Sequence, residues 1–308
     1  MRPLRSLWRR RLSALALALL AGGAAGAAVP VPAAGDQAGF RFQIVTADET
    51  SVTRRIAEDL YKRLVPIFGG FRTELAQKRR LVYVTIGPVA LRNTAARKCD
   101  CVIIAAYTSS QVWRAITAEL PAARLYNMTA IYGEPGPADQ LKLVSLLYRR
   151  PVRVAAIISA DTAYLKPLLD GAVPVEIEDY NAGADINYAL NRVGQAQVLL
   201  AMPDRTVYSA ENFRNILLST YRHNQGVIGF SADMVRAGAL ATTFSNIEHI
   251  NAHIADLAND FVATGDLPPP QFPRYFRTIV NEGVARSLQV AVSDDARKFG
   301  REPHPRRP

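Results

Sequence analysis

Two cysteines, four histidines and a scatter of hydroxyl and carboxyl side chains at element boundaries are the residues with chemistry to offer. Cys99 and Cys101 flank Asp100 at the entrance to an apolar run. At i,i+2 in extended chain their Cα atoms stand about 6.5–7 Å apart, near the upper limit for a disulfide. The reading that fits best is two small strand residues with Cys101 buried; a strained bridge and an activated thiolate are the alternatives. His249 and His253 stand at i,i+4 with Asp256 one turn further on, the spacing of a metal pair on a helix. The first His is followed by Ile250 and not by the Glu of a His-Glu-x-x-His motif, and no third ligand is in register, so a solvated helix face is expected and no metal. The chain has neither a Gly-x-Ser-x-Gly elbow nor a phosphate-binding Gly-Lys loop. No acid–base or nucleophile set stands out, so no catalytic residue, enzyme activity or cofactor is expected.

What remains is a set of polar residues, each just after an apolar, β-branched run: Asp48 and Thr50; Tyr107, Thr108, Ser109 and Ser110; Tyr132; Asp161; Asn181; Asp204; Ser231. In open parallel sheets ligands sit beyond the carboxyl ends of the strands, which makes these the candidate ligand-binding residues. Hydroxyls and N–H groups at helix starts can hold a carboxylate, and Asp161 or Asp204 can pair with an amine. The competing reading for any one of them is an ordinary helix cap or turn.

Alternating elements must position these loops. Strands are expected at 41–46, 80–87, 101–106, 124–131, 152–159, 174–178, 197–202, 226–230 and 274–280. Helical periods fall between them, such as Ile56, Leu60, Leu64 and Ile67 on one face, or Leu141, Val144, Leu147 and Tyr148 on another. This βαβα alternation implies an α/β protein with parallel sheets covered by helices on both faces. One continuous sheet of so many strands would be unusual, so two doubly wound lobes with a ligand cleft between them are expected, joined near residues 133–150. Pro268-Pro269-Pro270 reads as a linker passing between lobes.

The ends account for the charge. Of a net charge of +10, residues 1–27 carry five Arg and no acid, and residues 297–308 carry five Lys or Arg against one Glu. The body is left near neutral, so the basic balance is no sign of a nucleic-acid surface. Residues 1–27 read as a cleavable export signal: basic start, apolar run from Leu12 to Leu20, then Ala25-Gly26-Ala27. Residues 295–308 read as a disordered basic tail.

Several stretches resemble the substrate-binding proteins of ABC transporters of the tryptophan/tyrosine-binding type. Val227-Ile228-Gly229-Phe230-Ser231, followed by Val235-Arg236-Ala237-Gly238-Ala239-Leu240-Ala241, is similar to a characteristic block of that family. Leu199 to Asp204, Ser209 to Asn212, Asn127-Met128-Thr129-Ala130 and Asn281 to Leu288 look like further family segments. The resemblance implies a type I periplasmic-binding fold with three crossovers: a first lobe of 38–145 plus 246–272 and a second of 146–245 plus 273–294. It also implies a periplasmic monomer that captures a small polar or amphiphilic solute, an amino acid among the candidates, and delivers it to an inner-membrane ABC permease. An accessory or sensory protein acting through protein contacts is the alternative. The chain departs from the family at Ala105-Ala106-Tyr107-Thr108, where members carry Gly before the Thr or Ser. Tyr107 is therefore expected to put bulk where a backbone approaches the ligand.

Overall fold

The computed structural model describes residues 39–68, 80–171 and 173–304; the expected export signal lies outside them. Among the described residues no helix is long and apolar enough to cross a membrane. A first sheet runs β1 (Phe40–Val45), β2 (Arg80–Ile86), β3 (Cys101–Thr108), β4 (Met128–Tyr132), all parallel and in that order. Because successive side chains alternate across a strand, two cores form. Val82, Val84, Ile86, Val102 and Ile104 pack with α1 (Ser51–Phe68) and α9 (Ile247–Thr264). Tyr83, Ile103 and Ala105 pack on the other face with Leu91 of α2 (Pro88–Ala95) and with Trp113 and Ile116 of α3 (Ser110–Ala118).

The second sheet has seven strands in the order β11-β10-β9-β8-β7-β5-β6. β5 (Val154–Ser159), β6 (Val175–Tyr180), β7 (Val198–Leu200), β8 (Gly226–Ile228) and β9 (Ala241–Phe244) are parallel. Val154, Ala156, Ile158, Val198 and Leu200 face α5 (Pro137–Tyr148) and a 3-10 helix, Ala160–Leu169. Ala155, Ile157 and Leu199 face α6 (Ile186–Arg192), α7 (Ala210–Arg222) and α8 (Ala232–Ala237). Each fully buried Leu or Ile contributes about 1.5–3 kcal/mol, so each lobe has a core of its own.

Three passages connect the sheets: 133–136 between β4 and α5, 245–246 between β9 and α9, and 265–275 between α9 and β10 (Phe276–Val280). Helix α5 packs with the second sheet, so the first passage falls ahead of the boundary expected at residue 145. β10 runs antiparallel to β9, and β11 (Gly300–Arg301) antiparallel to β10, so the second sheet is not wholly parallel.

Four further expectations are corrected. The tail from 295 is not disordered where it is described: α11 (Asp294–Lys298) packs Ala296 into the core, and β11 joins the sheet. Cys99 and Cys101 are joined by a disulfide, the loop drawing their Cα atoms to 5.3 Å, closer than extended chain allows. His249 and His253 do not lie on a solvated face; each is 1 % exposed. His249 Nε2 stands 2.9 Å from Glu302 Oε2, and His253 Nδ1 accepts the Arg274 N–H at 3.1 Å. Residues 124–131 are not one strand, because Ala122–Leu125 forms a helical turn, α4, before β4 begins.

Candidate functional site

The loops after β3 and β4 in the first lobe meet those after β5 and β7 in the second. At the end of β3 the backbone of Tyr107 is left-handed, φ 57°, where the resembling family has Gly. Its ring turns away from the second lobe and packs on the first lobe's core, which corrects the expectation that it fills the ligand's space. The phenol donates to Asn251 Oδ1 at 2.7 Å. Asn251 Nδ2 in turn donates to Asp59 Oδ2 at 3.0 Å, and Arg63 Nε bonds the same oxygen at 2.7 Å. Burial, with the Asp59 charge nearby, holds the Tyr107 phenol well above its usual pKa.

Two residues on, Ser109 caps α3 by accepting the Val112 N–H at 3.3 Å. Thr108 is buried, and its carbonyl accepts the Gly133 N–H at 3.1 Å, which draws the first passage against α3. Glu134 is thereby held 4 % exposed, its Oε1 accepting the Ser110 N–H at 2.7 Å. Its Oε2 is buried without a hydrogen-bond partner. Burial pushes the carboxyl above its usual pKa despite the Ser110 bond. Ser110 Oγ makes a 2.7 Å hydrogen bond to Tyr164 Oη in the second lobe. Arg114 of α3 lies over the Tyr164 ring, 4.3 Å from its centre. Burial pushes the Tyr164 phenol up to about 12.

In the second lobe Asp204 is spent internally. It accepts from Ser159 N at 2.8 Å, Thr206 N at 2.9 Å, Val207 N at 3.0 Å and the Thr162 hydroxyl. Burial raises its pKa, but these donors outweigh it and leave the carboxyl below its usual value. Asp161, beside it and exposed, accepts from Gln111 Nε2 at 3.5 Å and Thr206 Oγ1 at 3.4 Å. Gln111 Oε1 also meets the Arg205 N–H at 3.4 Å.

Between these groups lies a cavity of about 450 Å³ walled by Gln111, Val112, Arg114 and Ala115 of α3 and by Asp161 and Arg205 of the second lobe. A larger opening, about 540 Å³, sits at the outer edge of β1 against α1, away from the meeting of the lobes. Of the residues expected at a ligand, Ser110 and Asp161 come together at this seam. Tyr132 stacks edge-on against Phe272, 5.2 Å away, and the Glu134 and Tyr164 charges add to burial in raising its phenol. Asp48 and Thr50 organise the start of α1, where Asp48 Oδ1 accepts from Thr53 Oγ1 at 2.6 Å. Ser231 caps α8 by accepting the Met234 N–H at 3.3 Å. Asn181 is exposed, and its carbonyl closes a turn with Ala184 N at 3.1 Å. Sequence reasoning missed Gln111, Arg114, Glu134, Tyr164 and Arg205. Glu134 lay in the stretch 133–150 where the lobes were expected to join; the others gave no signal beyond being polar.

Neither known family descriptions nor curated proteins match this sequence. Solved structures do. A Streptococcus pneumoniae ABC domain in complex with L-Trp is 12 % identical, with TM-score 0.52 over 85 % of this chain and 99 % of its own. A ligand-free, open substrate-binding protein with adhesive properties from Clostridium difficile is 13 % identical, with TM-score 0.59 over 86 % of this chain and 100 % of its own. The fold is that of a type I periplasmic binding protein. The cavity under α3 lies on the seam between the two lobes. Among the described residues no group of three or more His, Cys, Asp or Glu could hold a metal ion.

Proposed function

We propose that this chain is the periplasmic solute-binding protein of an ABC-type uptake system, holding a small polar solute between its lobes for an inner-membrane permease. The observation that carries this reading is the seam cavity, to which each lobe contributes polar groups: Gln111 and Arg114 from one, Asp161 and Arg205 from the other. A ligand touching both walls stabilises the closed arrangement over the open one, which is capture by hinge closure. Its volume, about 450 Å³, suits a small metabolite. A carboxylate with two guanidinium groups suits a zwitterion, so an amino acid is the leading solute; the L-Trp complex of the S. pneumoniae domain supports that choice. Asp161 is the contact we assign from the sequence-derived set. The role requires binding and no bond-making group.

The test is a thermal-shift screen of amino acids and small metabolites on the mature chain, with Trp113 emission as a second signal. A solute at a hundredfold excess over its Kd should add about 2.7 kcal/mol of stability. Asp161→Ala should remove the response of a zwitterionic hit. No shift across the screen would overturn the reading. The second reading, an accessory or sensory protein acting through protein contacts, is favoured by the direct bridge from Ser110 to Tyr164, which ties the lobes through protein groups alone. Copurification of a sensor kinase instead of a permease would select it.

A further inference from the structure

The Cys99–Cys101 disulfide lies at the amino end of β3, whereas the seam cavity lies beyond that strand's carboxyl end. Nothing in solute capture uses it. A bridge between residues two apart closes so small a ring that it removes little freedom from the unfolded chain, so fold stability gives it slight purpose. Its surroundings are unusual in another way. The Arg124 guanidinium on α4 stands 3.2 Å from Cys101 Sγ and 3.7 Å from Cys99 Sγ, and it also donates to the carbonyls of both residues. Arg80 stands close by, bound to Asp100 Oδ1 at 2.9 Å and to Asn127 Oδ1 at 2.8 Å. Cys99 is exposed and Cys101 is 1 % exposed. One sulfur is open to attack, and the other is buried against a fixed positive charge.

We propose that Cys99 and Cys101 form a redox site that oxidises dithiols by thiol–disulfide exchange. A thiolate of the partner dithiol attacks Cys99 Sγ. The Cys99–Cys101 bond breaks, and Cys101 leaves as a thiolate with the bonding pair, stabilised by Arg124. The partner's second thiolate then attacks its own sulfur in the mixed disulfide and releases the Cys99 thiolate. The partner has lost two electrons and two protons and gained a disulfide; the two cysteines have gained both as a pair of thiols. The positive charge favours the reduced form, which is what makes the bridge an oxidant.

The experiment reduces the full-length protein and follows iodoacetamide alkylation against pH. The expected profile shows a thiolate titrating at least one pH unit below the ordinary cysteine value of about 8.5. A profile at or above that value overturns the proposal, and it needs no variant. Reduction of the oxidised protein by dithiothreitol is the second reading. Arg124→Met should slow it at least tenfold, and Arg124→Lys, which keeps the charge, should restore it to within threefold of the parent. If the Lys variant is as slow as the Met variant, Arg124 acts by packing and the proposal fails.

Discussion

Glu134 sits where its charge is costly. It is 4 % exposed, one oxygen rests on the Ser110 N–H, and the other has no hydrogen-bond partner. Burial holds its pKa above the unfolded value, so its contribution is most favourable below that value and is lost as pH rises through the folded pKa. Once ionised, the carboxylate is therefore a burden. Glu134→Gln keeps an oxygen for Ser110 and drops the charge; at pH 7 it should gain about 1 kcal/mol, read as a rise of roughly 2–4 °C in Tm. A fall in Tm would overturn this and show that the Ser110 hydroxyl and the Gly133 and Glu134 N–H groups outweigh the cost of burial. Tyr107 shows why residue roles were only partly legible. Its departure from Gly was visible in sequence, and the left-handed backbone there costs about 1–2 kcal/mol for an L-residue. The direction of its ring was not visible, because Asn251, which receives the phenol, is 144 residues away. Asp204 was only half legible for a related reason: Thr206 and Val207 donate from its own turn, but Ser159 and Thr162 reach it from more than forty residues away.

Helix α9 carries the clearest pH signature among the elements. His253, buried against Arg274, has its pKa lowered to about 4, by burial first and then by the Arg274 charge. The unfolded chain takes up this proton near pH 6.5, well before the folded one does. Stability from this group is thus complete above about pH 6.5 and is lost as pH falls toward 4. Between pH 7 and 5 the loss should be about 2 kcal/mol. Urea midpoints at the two pH values measure it, and His253→Asn should remove most of the difference. Strands and helices were largely legible here, because the continuous apolar runs of β2, β3 and β5 and the apolar face of α1 show within short windows. What escaped was context. Pro121 starts a helical turn that takes in Arg124 and Leu125, the first residues of the expected strand, and β11 exists only because β10 offers it an edge. The histidine pair read as a solvated face because its neighbours in space, Glu302 and Arg274, are distant in sequence.

At the scale of the whole molecule, two lobes with separate cores are joined by three passages and bridged at the seam by Ser110 and Tyr164. Tyr164→Phe removes the bridging hydroxyl and keeps the ring beneath Arg114. A hydrogen bond worth about 1 kcal/mol shifts the balance between closed and open lobes about fivefold. Small-angle scattering should then report a larger radius of gyration, with the secondary structure unchanged by circular dichroism; an unchanged radius would show that the bridge does not govern closure. The two-lobe plan was legible because the alternation outruns what one sheet accommodates. Placing the first passage was harder, since α5 has an apolar face that suits either sheet until the partner surface is known.

The segment from Gly300 to Glu302 has a mechanical consequence. β11 stitches it to the second sheet, and Glu302, the next residue, reaches His249 at the start of α9 on the first. The lobes thus share a further fastening, noncovalent and so releasable. Opening either carries this latch along or breaks it, and the stiffness of the joint becomes a quantity set near residue 302, far along the sequence from the seam it would govern.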